Sequence, residues 1–151
     1  MAGLPAQPRR GFGTVTDLLA GRVRHEDNAG HDGVIETGGI QWMGAGRGIV
    51  HSEMPEQEAG RLAGFQLWVN LPAAKKMTAP RYQEFSSREI PVESRAQAVE
   101  IRVIAGYTSF VTQFPVLDVS TLPIHLDITL APGQAFYEQV PTDSTAFVFA
   151  I

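Results

Sequence analysis

The side chains best placed to do chemistry are an imidazole and a carboxylate two residues apart. They are His51 and Glu53, in the run Gly48-Ile49-Val50-His51-Ser52-Glu53-Met54. In an extended strand successive side chains alternate between faces, so His51 and Glu53 project to one side. Ile49 shares that side, which sets an inward direction for all three. An imidazole and a carboxylate pointing into a barrel can ligate one divalent ion together. Two donors are fewer than the three or four that a mononuclear centre takes from its protein.

The other histidines read as structural. His25 and His31 bracket His25-Glu26-Asp27-Asn28-Ala29-Gly30-His31-Asp32-Gly33, whose glycines and short acids predict an exposed hairpin turn without chemistry. His125 lies among apolar neighbours in Pro123-Ile124-His125-Leu126 and is expected within a strand. Glu56, Glu58 and Arg61 form a charged patch read as a solvated turn. The chain has no phosphate loop, no serine elbow and no zinc-protease helix, so no catalytic side chain is assigned.

The elements that must carry these groups are short. The 15 glycines and 10 prolines among 151 residues cut the chain into runs of five to eight residues rich in Val, Ile, Phe and Trp. Strands are expected at Thr14–Leu19, Gly39–Met43, Gly48–Met54, Gly64–Leu71, Ala98–Ala105, Ile124–Leu130 and Thr145–Ile151, the pattern of a β-sandwich or barrel. In Gly64–Leu71 the side chains Phe65, Leu67, Val69 and Leu71 take one face, and Gln66, Trp68 and Asn70 the other. Pro72 ends that run because it has no N–H for a ladder. The polar stretch 86–97, with Arg88, Glu89, Glu93 and Arg95, is expected to connect two β-units.

Composition excludes several classes. Hydrophobic residues make up 44% and charged residues 19%, which is globular. A net charge of −4 argues against nucleic-acid binding, which needs clustered cations. No apolar run is long enough to span a membrane. The absence of cysteine excludes disulfides and thiolate chemistry and fits a reducing, cytoplasmic setting. Arg9-Arg10-Gly11-Phe12 is not read as an export signal, since Asp17, Arg22 and Arg24 interrupt the apolar segment that such a signal needs.

Gly46-Arg47-Gly48-Ile49-Val50-His51-Ser52-Glu53, continued by Met54-Pro55-Glu56, resembles the signature of the pirin family of cupins. Arg10-Gly11-Phe12, Thr14-Val15-Thr16, Gly39-Ile40-Gln41-Trp42-Met43, the run from Gly64 to Pro72 and Pro80-Arg81-Tyr82-Gln83 agree in the same order. The resemblance implies an all-β fold of cupin-type antiparallel barrels or sandwiches, jelly-roll-like. It places an N-terminal barrel at 1–85 lacking its first strands, a connector at 86–97 and part of a second barrel at 98–151. It also implies one divalent metal, iron, with His51 and Glu53 as two of four ligands. In the family the other two come from a His-Pro-His motif just before Arg-Gly-Phe. Here that place reads Gln7-Pro8-Arg9, and Gly13 stands where the family has glutamate.

Gln7 offers a weak neutral oxygen and Arg9 no lone pair at all, so the ion is expected to be weakly held or absent. Either Arg9 fills the centre and pairs with Glu53, or the first ten residues are an unordered end with Arg9 in solvent. The resemblance implies two kinds of function. One is a non-catalytic binding or regulatory role with a protein partner, or self-association through open sheet edges. The other is a metal-dependent quercetin 2,3-dioxygenase-type reaction on a flavonol-like ligand.

Overall fold

A computed structural model describes residues 3–57, 59–96, 99–114, 121 and 123–151. The described residues form twelve antiparallel strands and one short 3-10 turn at Ala73–Lys75. None of their helices is long and apolar enough to cross a membrane. The described residues divide into two compact units, the first made of those up to Ile90 with Thr121, the second of the rest from Pro91 on.

The first unit holds eight strands: β1 (Leu4–Arg9), β2 (Phe12–Ala20), β3 (Arg22–Asp27), β4 (Asp32–Glu36), β5 (Ile40–Gly44), β6 (Ile49–Pro55), β7 (Ala63–Asn70) and β8 (Arg81–Phe85). They make two four-stranded sheets, β1-β6-β3-β4 and β7-β2-β5-β8. Side chains of β1, β3 and β6 reach those of β2, β7 and β8, so the inner faces of the two sheets meet. On β6 the alternation holds: Ile49, His51 and Glu53 are buried, while Val50 and Met54 are exposed.

At the β6 end of this interior Met43, Ala45 and Ile49 pack together with Tyr82 against them. The turn into β6 depends on Gly46. Its φ is +49°, and a Cβ there would meet the Thr78 carbonyl oxygen at 2.1 Å. On β7 the polar face turns inward. Gln66 reaches Arg9 and Glu53 across the sheets, while Phe65, Leu67 and Val69 take the opposite face.

In the second unit β10 (Val99–Tyr107) pairs with β12 (His125–Leu130) on one side, and with β9 (Val92–Arg95) and β11 (Gln113–Phe114) on the other. Ile101, Val103, Ile104 and Ala105 of β10 form its driest part. Two expectations are corrected. The stretch 86–97 contains a strand, β9, in ladder with Val99–Arg102, because Glu93 has a buried hydrogen-bonding role there. Thr145–Ile151 is in no strand, and Phe147, Val148 and Ile151 are exposed. High β-propensity cannot make a strand without a neighbouring backbone to pair with.

Candidate functional site

His51 and Glu53 occupy the middle of their sheet, with β1 on one flank and β3 on the other. Gln7 and Asp27 stand opposite His51, and His25 stands opposite Glu53. His51 is 1% and Glu53 6% exposed, so both need internal partners. Glu53 takes the Thr16 hydroxyl on Oε1 at 3.2 Å and the Gln66 amide on Oε2 at 2.7 Å.

Arg9 ends β1, buried at 6% exposure, so an unordered N-terminal end is ruled out for it. Its Nε donates to His51 Nε2 at 3.3 Å and its Nη2 to Gln66 Oε1 at 3.4 Å. The guanidinium carbon lies 4.3 Å from the Trp68 ring centre and 5.7 Å from that of Phe12. The expected direct pair between Arg9 and Glu53 does not form. The Gln66 amide stands between them, receiving Arg9 on its carbonyl and donating its NH2 to Glu53 and Thr16. The same carbonyl accepts Trp68 Nε1–H at 3.2 Å. A neutral dipole thereby links cation to carboxylate and satisfies both ends of the amide.

Burial pushes the His51 imidazole below its ordinary pKa, and the charges of Arg9 and His25 push the same way against the opposing pull of Glu53. The ring is held neutral, and its Nε2 lone pair is the acceptor for Arg9. Metal ligation would need a ring lone pair, and the Nε2 one is engaged. The Nδ1 atom of His51 and the Nε2 atom of Gln7 are buried with no hydrogen-bond partner among the described residues.

His25 is not in an exposed turn. It lies in β3 at 2% exposure, with Nε2 2.5 Å from Glu84 Oε1 and its ring stacked on Tyr82 at 5.9 Å. The bond to His25, then that from Gln41, holds the Glu84 carboxyl below its usual range. The β3 alternation of Val23, His25 and Asp27 is the sequence signal for this placement, and the glycines and acids just after it obscure it. Gly33 faces His25 across the ladder, and a Cβ there would meet His25 Nε2 at 2.6 Å.

His31 is exposed in the turn as expected, with Nδ1 2.8 Å from Asp27 Oδ2. His125 opens β12 in the second unit, where burial lowers its pKa. Glu56 pairs with Arg22 and Arg24, Arg61 is exposed, and Glu58 lies outside the described residues. Among the described residues no three His, Asp or Glu side chains form a group that could hold a metal ion.

The family model described as Pirin matches residues 1–69, the stretch that carries Arg9, His51, Glu53, Gln66 and Trp68. A pirin-like protein of Caulobacter vibrioides is 53% identical over 148 residues, covering 98% of this chain and 54% of that protein. The chain belongs to the pirin family.

A solved quercetin 2,3-dioxygenase from Acinetobacter baumannii superposes with a TM-score of 0.80 at 36% identity, covering 87% of this chain and 47% of that one. The pirin YhhW of Escherichia coli, solved in complex with nickel(II), gives a TM-score of 0.54 at 26% identity over 70% of this chain and 50% of its own. The fold is thereby that of the cupins, and this pirin chain spans about half the length of the relatives it matches. Against a divalent ion, the donor set at the two β1 positions of this pirin is an amide and a guanidinium. Such a set does not fit an ion of the kind that imidazole and carboxylate hold.

Proposed function

We propose that this pirin-family chain has a degenerate metal site, in which Arg9 substitutes for the ion, and serves a non-catalytic binding or regulatory role. The observation that carries the reading is the Arg9 Nε–H donated to His51 Nε2 at 3.3 Å, since one group cannot use that lone pair for a metal and for Arg9 at once. The positive charge an ion would bring is already present and balanced through Gln66 against Glu53. The two compact units are read as an N-terminal cupin barrel and part of a second, in a cytoplasmic protein. A protein partner, or a second copy meeting an open sheet edge, is the interaction this role implies.

The test is elemental analysis of purified protein after dialysis against a mild chelator and after reloading with excess iron(II). Less than roughly a tenth of an equivalent of metal, in a folded sample, is the expected result. Near-stoichiometric iron, nickel, copper or manganese would overturn it.

A second reading is supported by the likeness to the Acinetobacter baumannii enzyme and by the inward, adjacent placement of His51 and Glu53. In it, those two residues hold a divalent ion with water or Gln7 as further donors, and the chain takes part in flavonol oxygenation. Metal-dependent turnover of quercetin by the reloaded protein decides for this reading.

A further inference from the structure

We propose that the corner formed by Arg9 and Trp68 binds a small aromatic acid, the guanidinium taking its carboxylate and the indole lying against its ring. This rests on the reading that Arg9, and no ion, holds the centre. The geometry leaves Arg9 in an unusual state for a buried cation. No carboxylate among the described residues is in ion-pair contact with it, and its two hydrogen bonds go to neutral groups, His51 and Gln66. A charge taken out of water needs a counter-charge or a full set of hydrogen bonds. Nε and Nη2 are used, while Nη1 has no acceptor among the described residues and is not one of the fully buried atoms without a partner, so it is the edge of the guanidinium that reaches the surface.

The three contacts of Arg9, with His51, Gln66 and the Trp68 ring, fix the guanidinium plane before any ligand arrives. Preorganisation of that kind removes the entropy cost of ordering a long side chain on binding. Glu53, the carboxylate that would repel an incoming acid, faces the far end of the Gln66 amide and accepts one hydrogen bond on each oxygen, from Thr16 and from Gln66.

The apolar part of the ligand is set by what surrounds the cation. Trp68 is 58% exposed although it stacks on Phe12 at 4.7 Å, so much of its indole surface is available beside Arg9. Lys76 is committed to the Gly11 carbonyl at 2.8 Å and to Asn70 at 2.7 Å. One cation beside aromatic surface suits a singly charged planar acid better than a phosphate dianion, which draws on several donors.

The experiment is isothermal titration calorimetry of chelator-dialysed protein with benzoate and with its uncharged isostere benzamide. Benzoate is expected to saturate one site, with benzamide at least roughly tenfold weaker, the loss of a charge-assisted hydrogen bond. Arg9→Met is expected to weaken benzoate roughly ten- to hundredfold and to leave benzamide unchanged. The comparison of the two probes on the unaltered chain stands even if that variant fails to fold. Equal affinity for both probes, no binding of either, or full benzoate affinity in a folded Arg9→Met variant would overturn the proposal. Elemental analysis of the same sample separates the two ideas. A stoichiometric ion defeats the underlying reading, and an ion-free sample indifferent to benzoate defeats only this one.

Discussion

Restoring the two missing imidazoles by Gln7→His and Arg9→His should convert the interior of the first unit into a tight metal site. The magnitude comes from where Arg9 lies. An ion on His51 Nε2 would sit at about 2.1 Å from that nitrogen. Arg9 Nε is 3.3 Å from the same atom and lies along the lone pair that the ion would use, so the two cannot coexist and the arginine must first swing aside. Even moved to about 5.5 Å from the ion, a guanidinium repels a dication by about 6 kcal/mol at an effective dielectric of about 20, or roughly four powers of ten in affinity. Arg9 can escape part of this by rotating away, at the loss of its cation–π contact with Trp68, worth about 1–2 kcal/mol. The expected gain from Arg9→His alone is therefore at least roughly a hundredfold, set by the remaining cost of moving the arginine and the added donor. Gln7→His alone should give less than about tenfold, because the cation stays. The assay is nickel(II) titration by calorimetry with a competing chelator, alongside a thermal melt to show that each variant is folded. A folded double variant that holds nickel(II) no better than the parent would refute the argument, as would Gln7→His matching Arg9→His.

Three further outcomes are expected. Gln66→Leu removes the amide that joins Arg9 to Glu53 and leaves one Glu53 oxygen buried without a donor. It should cost about 2–3 kcal/mol of unfolding free energy in urea, and a change below about 0.5 kcal/mol would contradict the linking role. Gly46→Ala places a methyl on the Thr78 carbonyl oxygen at positive φ and should lower stability by about 2–4 kcal/mol in the same assay; an unchanged midpoint would show that the turn relaxes freely. In the second unit, Arg95 bonds Glu93 and Glu138, both nearly buried, and lies on the rings of Phe110 and Phe136. Burial alone would raise both carboxyls, but the Thr108 and Thr112 hydroxyls with Arg95 at Glu93, and Arg95 with Ser109 at Glu138, hold them below the ordinary range. A depressed carboxyl stabilises the fold fully above its unfolded pKa, and that contribution is lost as pH falls through the folded one. Acid titration should thus weaken this unit below about pH 4.5, and Arg95→Met, which strands two carboxylates, should cost about 3 kcal/mol at neutral pH. A melt of the Arg95→Met variant that is insensitive to acid over the same range as the parent's loss, with full stability at pH 7, would refute the assignment.

The sequence carried the strands and the inward face of β6 because both depend on local alternation. Ile49, His51 and Glu53 lie on one face by backbone geometry alone, and their burial agrees with it. His25 escaped the same logic, since turn-forming glycines and acids just after it masked three residues of strand periodicity. The partner of Arg9 could not be read, because Gln66 reaches it across the gap between two sheets from 57 residues away. Nor could the inward turn of Gln66 on β7 be read: its amide is drawn in by the buried charges of β1 and β6 rather than excluded as a polar group usually is. Thr145–Ile151 shows the limit of propensity, which names a willing strand but not a neighbour for it.

A guanidinium on His51 also differs from an ion in permanence. A resident metal leaves to a chelator, exchanges for a stronger competitor up the divalent series, and tracks the supply of the cell. Arg9 is covalently part of β1 and has no second oxidation state. If Arg9 stands in for the ion as proposed, the interior keeps its positive charge through iron starvation and oxidative stress alike, and a change in metal supply leaves it unaltered.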